Sequence, residues 1–238
     1  MFRIVNKIAP RLTKTIQSTI SCNLQRNASR ISYVGSFVIG TGIATYYSMT
    51  FVQLEPKRKF NIKQYMAEPV TDTKKLMENP DDMKTRMELF IMKIQTDFVR
   101  ALENEENFGQ KFKVDRWLRK EGGGGITCVL QDGDVFEKAG VNISVVAGTL
   151  PAAAVQQMRS RGKQLGNGPL PFFAAGISAV IHPKNPMVPT IHFNYRYFEV
   201  DDLETGQKQW WFGGGTDLTP YYFNEADTVH FHETLKAA

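Results

Sequence analysis

The apolar positions of this chain change their period partway along it. After Asn79-Pro80, residues Met83, Met87, Ile91, Ile94, Phe98 and Leu102 recur three or four apart. That spacing predicts an amphipathic helix ending near Glu106, with Asn79 as its N-cap and Pro80 at its first helical position. Its Met and aromatic stripe reads as core packing. From Lys111 the pattern shifts to short extended runs at 126–131, 141–147, 172–182, 190–200 and 209–212. One helix is expected between them, opening at Pro151 and running to about Leu165, and a last one starts at Asn224. Consecutive strands joined by short turns pair antiparallel, so the expected fold class is α+β, with helices packed on an antiparallel sheet.

Upstream of this body the chain reads as an address. Residues 1–32 are basic, rich in Ser and Thr and free of acid, the composition of a mitochondrial transit peptide. Ile4, Ile8 and Leu12 alternate with Arg3, Lys7 and Arg11, so a helix there would carry adjacent apolar and basic stripes. Residues 31–54 hold no formal charge over 24 positions, longer than the ~20 that cross a bilayer. A Gly-rich core segment is the competing reading. The expected division is a transit peptide at 1–32, an uncharged sorting or membrane segment at 33–54, a linker or arm at 55–78 and the body at 79–238. Such a two-part address would leave the body in the mitochondrial intermembrane space, in association with the inner membrane.

Charge supports that division. The net charge is +5, but the six basic residues before Glu55 face no acid there, which leaves 23 basic against 24 acidic residues in the rest. A body so near neutrality has no footprint for a polyanion, so no nucleic-acid partner is expected. Of the two cysteines, Cys22 lies in the leader and Cys128 in the apolar run ITCVL. One body cysteine cannot form an internal disulfide, and Cys128 reads as a small buried hydrophobe.

The candidate chemistry lies in Gly176 to Val200. Side chains alternate faces along a strand, so His192, Asn194 and Arg196 share one face and Phe193, Tyr195 and Tyr197 the other. Ser178, Val180 and His182 likewise share a face. A hairpin centred near Met187, in the turn KNPMVP, would pair His182 with His192 and Ser178 with Arg196. Such a face is not ordinary core, because an unpaired buried polar group costs ~1–3 kcal/mol. It either meets bulk water or lines a cleft. Trp210 to Asp217 adds large aromatics, three glycines and a carboxylate, which suits a bulky, flat, partly apolar ligand. Arg196 suits an anionic substituent such as a carboxylate. Gly122 to Gly125 lacks the Gly-Lys-Ser/Thr ending of a phosphate loop and leads into a strand, so close backbone approach or flexibility is expected there.

The stretches IHFNYRYFEV (191–200) and WWFGGGTDLTPYY (210–222), with GGGGITCVLQDG, FEKAGVNISVV, PFFAAGISAVIHP and DTVHFHETLK, resemble the oxygen-dependent coproporphyrinogen-III oxidases. The resemblance runs from about Phe60 to Lys236. It implies oxidative decarboxylation of two propionates of coproporphyrinogen-III to vinyl groups, giving protoporphyrinogen-IX in haem synthesis. Molecular oxygen is then the co-substrate, and CO₂ and hydrogen peroxide are released. It further implies a homodimer and a flat antiparallel β-sheet covered by helices.

Carried over by motif, the resemblance makes His192 the proton donor and Asp217 a carboxylate facing the pyrrole N–H groups. Ser178 and Asn194-Tyr195-Arg196 become substrate-binding positions. No cofactor is expected besides O₂. A divalent metal on His182, His192 and His232 is the competing expectation, since bacterial relatives are described with a histidine site. The family continues past HFHETLK, whereas this sequence stops at Lys236-Ala237-Ala238. The body is therefore expected to be the N-terminal part of the domain, with a sheet incomplete at the C-terminus and no oxidase activity. The alternatives to an active oxidase are an inactive truncated form and a histidine-metal-dependent oxygenase.

Overall fold

The computed structural model describes residues 61–237 apart from Asn167. The expected transit peptide and sorting segment lie outside those residues. Among the described residues no helix is long and apolar enough to cross a membrane.

Six strands form one antiparallel meander in the order β1 (Lys113–Leu118), β2 (Gly123–Gln131), β3 (Phe136–Thr149), β4 (Pro171–Pro183), β5 (Thr190–Asp202) and β6 (Gln207–Thr219). The helices are α1 (Thr73–Glu78), α2 (Met83–Glu103), α3 (Ala152–Ser160) and α4 (Glu225–Ala237). The α+β class and the helix-covered antiparallel sheet are as the sequence predicts.

One face of the sheet is the core. Ile91, Met92, Phe98, Val99 and Leu102 of α2 pack on Ile126, Cys128, Val141, Ile143, Ala175 and Ile177 of β2 to β4, all buried. Full burial of such side chains stabilises by roughly 1.5–3 kcal/mol each. Gln95 sits in this layer at 1% exposure, and its amide donates to the carbonyls of Ile126 and Val141 at 2.8 and 2.9 Å. The buried amide thereby satisfies its donors and fixes the helix against the sheet.

The alternate positions form the second face, which stays partly open along β2 to β6. Only one end is covered. There α3 and the loop after it pack Val155, Met158, Leu165 and Leu170 on Val200, Phe198 and Trp211.

Several boundaries differ from the sequence reading. The long helix starts at Met83, with Asp82 as N-cap accepting from the Lys84 N–H, and it ends at Glu103. Asn79 closes α1 instead, its N–H donating to the Lys75 carbonyl. Pro80 disfavours the helical region for the residue before it, so Asn79 reads better as a stop than as a start. The described part of 55–78 is an arm and not a free linker. Leu76 is buried, Tyr65, Met66 and Val70 pack on the core, and the Arg116 guanidinium holds the Pro69 carbonyl at 2.8 Å.

Strand β1 is absent from the sequence reading, because the charges of KVDRWL at Lys113, Asp115 and Arg116 fall on both faces and mask any alternation. Those charges suit an edge strand. β6 runs well beyond 209–212, through the three glycines to Thr219. Helix α3 ends at Ser160, not near Leu165. Gly162 takes the left-handed conformation (φ +84), the Gly162 N–H donates to Arg159 and the Lys163 N–H donates to Met158. This glycine-terminated C-cap satisfies the last carbonyls and stops the helix.

Candidate active site

Three strands build the open face. Ser178 of β4, His192, Asn194 and Arg196 of β5, and Gly213, Gly215 and Asp217 of β6 all point to this side. The β4–β5 register is Val180↔His192, Ser178↔Asn194 and Gly176↔Arg196. The expected pairs, His182 with His192 and Ser178 with Arg196, are therefore out by two residues. The turn explains the slip. Asn185 accepts the Met187 N–H through its side chain and the Val188 N–H through its carbonyl, which closes the hairpin one residue earlier. A two-residue slip preserves side-chain parity, so every candidate stays on its predicted face.

Across β5–β6 the pairs are His192↔Asp217, Asn194↔Gly215 and Arg196↔Gly213. His192 Nδ1 lies 2.6 Å from Asp217 Oδ2, and Thr219 Oγ1 donates to Asp217 Oδ1 at 3.2 Å. A carboxylate on Nδ1 orients the ring and leaves Nε2 for another partner. The side chains are 37% and 55% exposed, so the pair is accessible from solvent. Arg196 Nη2 donates to Asn194 Oδ1 at 3.3 Å.

The floor between these groups is bare. A Cβ built on Gly213 or Gly215 meets nothing within 4 Å. Neither residue has positive φ, so backbone conformation does not require glycine there. What glycine provides is an uncovered patch of strand between a guanidinium and a His–Asp pair. Beside it, a cavity of about 300 Å³ opens between β6 and α4, lined by Asp217, Pro189, Asn224, Phe231 and His232 among others. Asp217 borders both spaces.

Tyr195 differs from the other predicted residues. Its side chain is on the opposite face, where its hydroxyl pairs with Thr216. Only its backbone belongs to the polar side. The three histidines of the metal alternative are not brought together. His182 faces Thr190 at 3.4 Å, His192 faces Asp217, and His232 packs edge-on against Phe231. Among the described residues no three His, Cys, Asp or Glu side chains form a metal-holding group. This donor arrangement does not fit a histidine metal site.

The opposite face carries a charged cluster that the sequence reading missed. Glu199, at 2% exposure, accepts from the Tyr197 hydroxyl at 2.7 Å and pairs with Lys84 and Lys208, each at 2.9 Å. Burial works to raise the Glu199 pKa. The hydrogen bonds from Tyr197, Lys84 and Lys208 outweigh it, so the carboxyl is held below its ordinary value. Burial, and then the Glu199 hydrogen bond, push the Tyr197 phenol well up. This cluster ties β5 and β6 to α2 beneath the site.

A family model described as Coproporphyrinogen III oxidase matches residues 86–238, which include all of these strands. The chain belongs to the coproporphyrinogen III oxidase family. It is 62% identical over 220 residues to an oxygen-dependent coproporphyrinogen-III oxidase of Drosophila melanogaster, covering 88% of this chain and 56% of that protein. To the mitochondrial oxygen-dependent enzyme of Homo sapiens it is 63% identical over 176 residues, 73% of this chain and 38% of that one. It is 53% identical over 159 residues to the chloroplastic coproporphyrinogen-III oxidase 1 of Arabidopsis thaliana, covering 66% of this chain and 41% of the relative. The chain thus spans about half, or less, of the length of these relatives.

Proposed function

We propose that the open sheet face binds coproporphyrinogen-III and takes part in its oxidative decarboxylation by O₂ to protoporphyrinogen-IX. The observation that carries this reading is the bare glycine floor of β6, flanked by Arg196 and by the His192–Asp217 pair. A flat tetrapyrrole can rest on uncovered strand, and a guanidinium there suits a propionate. Each decarboxylation removes CO₂ and a hydride equivalent from one propionate arm. O₂ accepts the two electrons and two protons and leaves as hydrogen peroxide.

In this scheme Asp217 has two uses. It holds the His192 ring, and as an anion beside the pyrrole N–H it favours loss of that proton and enriches the ring in electrons. His192 supplies a proton to the reduced oxygen. Ser178 and Asn194 offer a hydroxyl and an amide to polar substituents, and Tyr195 contributes backbone only. No cofactor beyond O₂ is invoked.

A homodimer is part of the same reading. Tyr195, Trp210 and Phe212 stand exposed on the side opposite the site, where a second subunit could cover them. The relatives named mitochondrial support a mitochondrial address, and the basic, acid-free leader followed by 24 uncharged residues is what favours the intermembrane space. A reporter fused to residues 1–54 should be protease-protected in intact mitochondria and digested once the outer membrane is opened. Protection that survives that step would overturn the address.

Steady-state kinetics under air, in a version extended to the full length of the relatives, test the site. Arg196→Ala should chiefly raise KM, because a guanidinium on a propionate acts in ground and transition state alike. Asp217→Ala should chiefly lower kcat, by about 10²–10⁴-fold. Wild-type kcat/KM in both variants would refute the site.

A further inference from the structure

Lys163 lies outside the strand motifs of the polar face, yet it stands on that side of the sheet. Its ammonium lies 4.3 Å from the centroid of the Trp211 ring. Trp211 pairs with Phe198 and follows the same parity as Gly213 and Gly215, so it continues the glycine floor along β6. One strand period, about 7 Å, separates Trp211 from Gly213, the partner of Arg196.

The lysine is placed by its backbone. It follows Gly162 directly, and its N–H closes the end of α3 by donating to the Met158 carbonyl. The residues around it, Leu165 and Leu170, are buried under the same helix. Lys163 is therefore a half-buried cation on a fixed stem. Among the described residues, no carboxylate lies within ion-pairing distance of it. The acids of this corner are engaged with backbone: Asp202 accepts from the Gly166 N–H at 3.0 Å and Glu204 from the Gly168 N–H at 3.3 Å.

An ammonium over an indole face is held by the ring quadrupole and keeps N–H donors for another partner. A cation that is partly desolvated, positioned and unpaired with any carboxylate suits an anionic ligand. We propose that Lys163, seated on Trp211, is a second carboxylate-binding site, taking an acidic side arm of the ligand that lies on the glycine floor. This rests on the reading of the polar face as a tetrapyrrole site. It adds a division of labour: Arg196 holds one propionate, and Lys163 holds another further along β6, away from the His192–Asp217 pair. The two cations fix the rotation of the ring in its plane. They thereby decide which propionate is presented to His192.

The test uses coproporphyrin III, the stable oxidised tetracarboxylate, as a fluorescent probe titrated with the full chain. Four proteins are compared: wild type, Lys163→Gln, Lys163→Arg and Arg196→Gln, each checked by circular dichroism and thermal melting. Lys163→Gln should weaken binding about tenfold, Lys163→Arg should stay within about threefold of wild type, and Arg196→Gln should also lose at least about tenfold. Loss at Arg196 with none at Lys163 would overturn this inference and leave the site reading standing. Equal loss in Lys163→Gln and Lys163→Arg would overturn it too, since the role would then be steric and not ionic. No loss at Arg196, whatever Lys163 does, would overturn the site reading and this placement with it.

Discussion

Replacing Gly215 by valine should raise stability and reduce ligand binding in one step. The position is mid-strand in β6, cross-strand from Asn194, with nothing within 4 Å of an added Cβ. Its φ is not positive, so an L side chain meets no backbone strain. Glycine is among the poorest strand residues and valine among the best, on a scale spanning ~1 kcal/mol. For a chain of this size that gain corresponds to a Tm increase of about 2–4 °C. A ring resting on bare strand sits about 3.5–4 Å from backbone atoms, and an isopropyl group would fill that gap. Overfilling a packed contact costs ~1–3 kcal/mol, which is about 5- to 150-fold in Kd. Differential scanning fluorimetry and porphyrin titration of the same sample measure both effects. Unchanged affinity in a folded Gly215→Val protein would show that the ligand does not lie on this floor. A Tm drop of several degrees would show that the space above Gly215 is not free.

Three further outcomes follow from the core and the opposite face. Gln95→Leu removes two buried hydrogen bonds, to the carbonyls of Ile126 and Val141, and at ~0.5–1.5 kcal/mol each should cost ~1–3 kcal/mol in urea unfolding; a variant as stable as wild type would show that the amide is dispensable. Glu199 has a lowered pKa in the folded protein. Its contribution is therefore complete above the unfolded value of about 4.3 and is lost as pH falls through the folded value. Glu199→Gln should accordingly flatten the acid limb of the stability curve below about pH 4.3, and an unchanged limb would contradict the assignment. Cys128 is fully buried, and burial pushes its thiol up to about 12. In a Cys22→Ser background it should resist iodoacetamide at pH 8 until the protein is unfolded, and rapid labelling of the native protein would count against that burial.

Side-chain parity made most of the site legible. Placing His192, Asn194 and Arg196 on one side of a strand needs only the alternation of the pleat, and it survives an error of two in the register. The His192–Asp217 contact needed the β5–β6 register as well, which depends on the turn Leu203 to Gly206. That signal is present as Glu204-Thr205-Gly206 between two runs of strand pattern, and the structure puts Gly206 in the positive-φ conformation that glycine favours. Lys163 could not have been found from sequence alone. Nothing in a Gly-Lys-Gln segment tells that the helix before it folds back over Trp211. β1 was lost because Lys113, Asp115 and Arg116 hide its alternation. The start of α2 was misplaced because Asn-Pro is ambiguous between closing one helix and opening the next.

Every ladder in the sheet joins strands that are neighbours in sequence. Each pairing therefore closes only a short loop, except at the longer β3–β4 connection that carries α3, and the entropy lost at each step is small. The growth front of the sheet moves in the direction of synthesis. α2 and β2 to β4 can bury their apolar layer before β5 and β6 have been translated. The open polar face then arises last, as two strands added to an edge already stabilised from the other side. A hairpin recruited in this way can vary on its exposed face with little effect on the rate at which the core forms, because contacts made late weigh mainly on unfolding.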